Sequence, residues 1–252
     1  IYLYNSSATI NFNIISGNIA YGLKNDDNST INATNNWWGT NNPTVSTDNG
    51  SDINSANGTT YAPWLILNTT VNPTVTKDNS TVTADLTHNN TGGDTSPQGH
   101  IPDNIPVNFA TNLGTITNTA YTRNGKASAT FNCGTSTSGT ATITTTLDKQ
   151  SSQNNITIDI LPLKITANLP GGVYNSTQVV TLTANDDFGF NSTIYYTLDG
   201  STPTTSSTRY TSPINIVNPG STVLKFMAVD NAGNEAAVQT VNYILNLVKD
   251  VN

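Results

Sequence analysis

The sequence predicts an all-β chain: the last rungs of a right-handed parallel β-helix, then two β-sandwiches in series. Three observations lead there. Thr, Val, Ile and Tyr, which fit a pleated, half-buried surface, are common, while the strong helix formers Leu and Met are scarce. Short runs alternate apolar and polar residues between Gly- and Asn-rich turns, as strands do. Only 10% of residues are charged, against about 25% in ordinary globular chains. The 252 residues leave room for two or three domains of roughly 100 residues each.

Residues 1–65 are expected to hold the C-terminal rungs and cap of the β-helix plus a linker. Thr9-Ile10-Asn11 recurs as Thr30-Ile31-Asn32, about 21 residues on, the length of one solenoid turn. Ile10, Phe12 and Ile14 alternate with Asn11 and Asn13, which predicts an apolar row inside and an amide row outside or in an internal ladder. A solenoid end exposes unpaired backbone and needs covering. The stretch Asn35-Asn36-Trp37-Trp38-Gly39-Thr40-Asn41-Asn42-Pro43 supplies a cap, with one indole over the last rung and the other facing outward. The sharper alternative is that Trp37 or Trp38 stacks on a sugar ring. Residues 44–65 are rich in Ser, Asn, Gly and Asp and close at Tyr61–Leu65, where Trp64 after Pro63 reads as a plug between modules. Rungs of this kind ending in Asn-Trp-Trp-Gly-Thr-Asn resemble the adhesin-like surface proteins of methanogenic archaea. That resemblance implies a β-helix followed by Ig-like modules.

Residues 66–161 are expected to form the second unit. Thr81–Leu86, Val107–Phe109, Ala127–Phe131, Ala141–Leu147 and Ile156–Ile160 alternate, and Gly92-Gly93, Gly114, Asn124-Gly125 and Gly134 punctuate them. Ile105–Phe109, Gly114–Ile116, Asn124–Ala127 and Ser138–Ile143 resemble the invasin/intimin type of bacterial Ig-like domain. The resemblance implies a spacer that holds a tip away from the membrane.

Residues 162–252 are expected to form the third unit, with strands over Gln178–Ala184, Thr193–Leu198, Ser212–Val217, Val223–Val229 and Gln239–Leu245. Asp199-Gly200-Ser201-Thr202-Pro203 is a turn signal. Ile194–Thr204, Tyr210–Ile214, Leu224–Asp230 and Asn231–Asn234 resemble the chitobiase/β-hexosaminidase C-terminal domain family. That resemblance implies a small Ig-like sandwich appended to carbohydrate-active and surface proteins, without the glycosidase site.

The net charge of −7 and the lack of a basic patch disfavour nucleic acid. The single cysteine, Cys133, excludes an internal disulfide and reads as a buried small residue in an alternating run. No apolar run approaches the ~18 residues of a membrane span. There is no initiator Met or signal peptide, so a fragment of a longer protein is expected. Eleven Asn-x-Ser/Thr sequons occur, at Asn5, Asn28, Asn32, Asn49, Asn57, Asn68, Asn79, Asn89, Asn155, Asn175 and Asn191, a density that follows largely from composition.

His88 and His100 lie in loop sequence without zinc-ligand spacing. No nucleophile elbow, phosphate loop or zincin motif occurs. Asp26-Asp27 and Asp186-Asp187 read as solvated turns rather than paired catalytic carboxylates. Asp230-Asn231-Ala232-Gly233-Asn234-Glu235 offers oxygen ligands in a tight loop, with Asp186-Asp187 as a further source, which suits calcium. EF-hand spacing is absent, however, and a plain strand-connecting turn is the expectation. No catalytic, cofactor or metal residue is therefore assigned.

The expected function is a segment of an extracellular cell-surface adhesin, a stalk and ligand-presenting region and not an enzyme, elongated in solution. Its expected partners are glycans or proteins of a host or neighbouring cell, with the cell wall reached through parts outside the segment. The rivals are a carbohydrate-binding accessory region of a secreted hydrolase or surface enzyme, and a receptor-binding fibre module.

Overall fold

The structure, a computed structural model, describes residues 1–25, 29–46, 51–54, 58–134, 137–186, 188–189 and 191–247. The predicted turn Asp26-Asp27, the residue Asp187 and the sequons Asn28, Asn49 and Asn57 lie outside the described residues. The described residues are all strand, turn and loop, with no helix. By internal contacts the chain divides into two compact units. The first comprises Ile1–Thr74, Asp78–Gly134 and Gly139–Thr157; the second comprises Val75–Lys77, Thr135–Ser138 and Ile158–Asn252.

The first unit opens with two-residue strands β1 (Tyr2–Leu3), β2 (Ala8–Thr9), β3 (Lys24–Asn25), β4 (Ile31–Asn32) and β5 (Thr59–Thr60). Strand β1 pairs with β3, and β4 pairs with both β2 and β5, all in parallel. Thr9 stands opposite Asn32, not Thr30. The Thr-Ile-Asn echo is thus two residues out of step with the pairing, a slip that preserves which face each side chain takes. The expected inward row Ile10, Phe12, Ile14 is broken, because Phe12 takes φ 61°. Ile15, not Ile14, enters the core beside Leu23, Ile31, Ala33, Trp38 and Ile53. The amides on this stack are partly internal: Asn25 and Asn36 are fully buried. Asn36 Nδ2 donates to the carbonyls of Ala33 (2.7 Å) and Ile10, while its Oδ1 accepts the Asn13 N–H at 2.9 Å.

Strands β6 (Leu65–Asn72), β7 (Val75–Thr76), β8 (Asn79–Asn89), β9 (Pro106–Thr111), β10 (Thr115–Ile116), β11 (Thr119–Tyr121), β12 (Lys126–Asn132), β13 (Gly139–Leu147) and β14 (Gln150–Ile158) follow. Within the first unit they form a four-stranded sheet of order β10-β12-β8-β6 and a second sheet in which β11, β9, β13 and β14 follow one another; β7 falls in the second unit. Alternation sets the faces: in β12 every second residue, Ala127, Ala129 and Phe131, is buried. Those side chains join Leu67, Val82, Phe109 and Ile143 among the buried residues of the first unit.

The second unit continues with β15 (Lys164–Ala167), β16 (Gly172–Tyr174), β17 (Gln178–Val180), β18 (Leu182–Asn185), β19 (Ser192–Thr197), β20 (Thr208–Arg209), β21 (Ile214–Ile216), β22 (Gly220–Asp230) and β23 (Gln239–Leu245). The main sheet runs β16-β23-β22-β19-β20; β15 pairs with β18 and β17 with β21. The expected single strand Gln178–Ala184 is two strands interrupted at Thr181, whose N–H goes to Asn168 Oδ1 at 2.8 Å. Val180, Leu182, Ile194, Leu224, Phe226 and Tyr243 lie in one apolar core.

Candidate functional site

Two places gather polar groups in a way the fold alone does not require. The first is the Trp-Trp stretch, in the first unit. Both indoles are buried, Trp37 at 0% and Trp38 at 1% exposure. Neither faces outward and neither offers a ring to a sugar, which corrects both expectations for this pair. Trp37 lies beside Ile14 in a parallel bridge, and its Nε1 donates to Asp148 Oδ2 at 2.6 Å. Asp148 sits in the turn between β13 and β14 with φ 53°, a conformation that Asp tolerates. Asn41 extends the join: its Nδ2 donates to the Leu67 carbonyl and its Oδ1 accepts the Leu67 N–H. Trp64 Nε1 donates to the Asn41 carbonyl at 2.9 Å, and its ring stacks on Tyr61. The stretch after β4 and the sandwich are therefore tied by side-chain hydrogen bonds inside one unit. Beside the tie lies a cleft of about 350 Å³ lined by Ser16, Trp38, Thr44, Asp52, Asp148 and Lys149. Trp38 Nε1 is buried without a hydrogen-bond partner.

The second place is in the second unit. Asp159 follows β14, Asp186 follows β18 and Asp230 ends β22. One carboxylate oxygen from each lies within 4.8 Å of the others. Among the described residues this is the one group of three Asp, Glu, His or Cys close enough to hold a metal ion. Asp230 is well supplied with donors: Oδ1 accepts the N–H groups of Ala232 (2.7 Å) and Asn234 (2.9 Å), and Oδ2 accepts Asn234 Nδ2 at 2.9 Å. Asp186 Oδ1 accepts the Phe188 N–H at 2.7 Å. Asp159 is 0% exposed, and its Oδ1 accepts the Leu161 N–H, but its Oδ2 has no hydrogen-bond partner. Burial, reinforced by the Asp186 and Asp230 charges and opposed by the Leu161 amide, pushes the Asp159 carboxyl above its ordinary range.

Residues 169–240 match the family described as Chitobiase/beta-hexosaminidase C-terminal domain. Asp186 and Asp230 fall inside the matched span; Asp159 precedes it. No curated protein matches the sequence. Among solved structures, the C-terminal 282-residue fragment of intimin, in complex with the intimin-binding domain of its translocated receptor, is 16% identical with a TM-score of 0.43. That match covers 71% of this chain and 63% of the fragment, so the chain spans less than two thirds of the fragment's length. The fibronectin(III)-like modules of Clostridium thermocellum CbhA are 10% identical, with 71% and 94% covered and a TM-score of 0.39. The Yersinia pseudotuberculosis adhesin InvE is 16% identical, with 71% and 58% covered and a TM-score of 0.27. Likeness this low says nothing about activity or ligand.

The expected turn Asp230–Glu235 is a hydrogen-bonded loop, with Asp230 N–H on the Asn234 carbonyl at 3.1 Å. Glu235 is exposed and is not part of the carboxylate group. Asp159 was invisible to motif reading, since it stands far from the other two in the chain and falls inside the expected strand Ile156–Ile160, whereas the strand ends at Ile158. The histidines stay apart: His88 Nδ1 is 3.6 Å from Asp85 and His100 Nδ1 is 3.8 Å from Asp103. Of the sequon asparagines, Asn89 is buried and holds the loop after β8 through Thr91 and Gly93, which leaves no room for a glycan. Among the described residues no helix is long and apolar enough to cross a membrane.

Proposed function

We propose that the chain is a stalk and ligand-presenting segment of an extracellular cell-surface adhesin, without enzymatic activity. In this reading residues 1–65 are the last rungs and cap of a parallel β-helix, and residues 66–161 and 162–252 are Ig-like spacers. The tie between the Trp37 stretch and the sandwich carries the proposal. Trp37 with Asp148, and Asn41 with Leu67, join coils to sandwich by half-buried bonds in place of a loose linker. Such a joint transmits position and force, which a spacer needs and a catalyst does not. The parallel pairs of β1–β5 support the β-helical reading of the first stretch. The match of residues 169–240 supports a module of the kind appended to surface and carbohydrate-active proteins. Partners are glycans or proteins on neighbouring cells. Antibodies raised against the folded chain should label intact, unpermeabilised cells of the source organism. Label that appears only after permeabilisation overturns the proposal.

The second reading, a carbohydrate-binding accessory region, draws on the polar cleft of about 350 Å³ beside Trp38. Titration with a glycan panel, repeated with Lys149→Ala, separates the two. A saturable glycan signal lost in the variant favours this second reading.

A further inference from the structure

We propose that Asp159, Asp186 and Asp230 form a calcium site that clips three separate segments of the second unit together. The carboxylate oxygens lie within 4.8 Å of one another, compatible with a shared ion at the roughly 2.3–2.6 Å of calcium–oxygen bonds. The independent sign of a ligand is Asp159 Oδ2, which belongs to a side chain at 0% exposure and has no hydrogen-bond partner. A buried acceptor left unsatisfied is costly, and a buried carboxylate facing two others more so. A cation bound between them reverses the sign of that interaction.

The chemistry of the donors selects the ion. All three are carboxylates, with no imidazole or thiolate in the group, so zinc is disfavoured. Magnesium demands near-ideal octahedral geometry, whereas calcium accepts six to eight oxygens loosely arranged. Asn234 already braces the site: its Nδ2 donates to the Asp159 carbonyl at 3.0 Å and to Asp230 Oδ2. The ammonium of Lys77 is also at hand, donating to the Gly233 carbonyl at 2.5 Å. One lysine against three carboxylates still leaves the cluster negative. The rival without a metal is a protonated Asp159 donating to Asp230.

Calcium chloride titrated into the full 252-residue chain, stripped of metal with chelator, should give saturable one-site heat with a Kd of about 0.1–1 mM. It should also raise the melting temperature of the second unit by roughly 5 °C. Asp159→Asn should abolish both effects, yet melt no lower than the metal-free wild type, since its new amide can donate to the Asp230 carboxylate. A site with no ligand role predicts no calcium-dependent difference between the two proteins. Asp186→Asn preserves the acceptor for Phe188 and should weaken calcium binding about tenfold or more; it carries the test if Asp159→Asn does not fold. A flat titration of the wild type, or unchanged binding in Asp186→Asn, overturns the proposal. Equal heat and affinity with magnesium chloride overturns the choice of calcium. None of these results depends on whether the chain serves an adhesin.

Discussion

Trp37 and Asp148, 111 residues apart in the chain, are joined by a 2.6 Å hydrogen bond from the indole to the carboxylate. The indole is fully buried while Asp148 is exposed, so the bond anchors a surface turn to an interior ring. Asp148→Ala removes the acceptor and places a side chain without local hydrogen bonding at φ 53°. It should cost about 1–2 kcal/mol, counting the lost bond at a half-exposed site. Asp148→Asn keeps an acceptor oxygen and tolerates the backbone, so it should recover most of that loss. Urea unfolding of the first unit checks both. Equal stability of Asp148→Ala and the wild type would show that the bond contributes nothing to the joint.

Acid should act on the two units in opposite directions. Burial raises the Asp85 carboxyl, but the Thr87 hydroxyl (2.6 Å), the Thr87 amide (2.8 Å) and the Lys126 ammonium (3.1 Å) outweigh it and hold Asp85 below its ordinary range. A depressed folded pKa contributes stability that is present above the unfolded value of about 4 and is lost as pH falls through the folded value. Asp159 is raised by burial and by Asp186 and Asp230, with Lys77 the cation nearby. Its contribution is complete below about pH 4 and is lost as pH rises through the raised folded value. In metal-free buffer the transition of the second unit should therefore climb as pH falls through the raised folded value of Asp159 towards about 4, while that of the first unit drops only below about 4. Calorimetric scans across this range decide it; a second-unit transition that falls with acid contradicts the arrangement of Asp159.

The sandwich strands were legible where alternation was strict. Ala127–Phe131 lies within β12, because one buried face imposes a period of two. The first six residues of β14, Gln150–Asn155, carry no apolar side chain and gave no strand signal; their partners in the sheet, not their own side chains, make them a strand. The register of β2 against β4 was not legible because a repeated triplet marks composition, whereas backbone pairing sets the true offset. The acidic group was half legible: Asp186 and Asp230 stood out as turn residues. Asp159 joins them only through the folded chain, and its unpartnered oxygen is a property no sequence pattern records.

Cys133 should be inert in the folded protein. It is 6% exposed, and its thiol donates to the Gly134 carbonyl at 3.2 Å. Burial, reinforced by the Asp78 charge and slightly opposed by a backbone hydrogen bond, pushes the thiol up, which lowers the fraction of reactive thiolate. A thiol reagent at neutral pH should modify it at the rate of unfolding, and fully within minutes in denaturant. Rapid labelling of the native chain contradicts this burial.

Two glycines separate backbone strain from collision. Gly114, before β10, has φ 73°, and an added Cβ would stand 2.6 Å from the Asn132 carbonyl and 2.8 Å from the Phe131 ring. Gly92 has φ 83° with open space around the same position. Both lie in the first unit, so one unfolding transition reports on both. Gly92→Ala incurs only the left-handed backbone, about 1 kcal/mol. Gly114→Ala adds a clash with backbone and a fully buried ring, neither of which yields easily, and should cost roughly 2–4 kcal/mol. The difference between the two midpoints measures how firmly Phe131 is seated. Equal losses would mean that β10 and β12 move apart at little cost, and that the sheet edge at Gly114 is looser than its contacts imply.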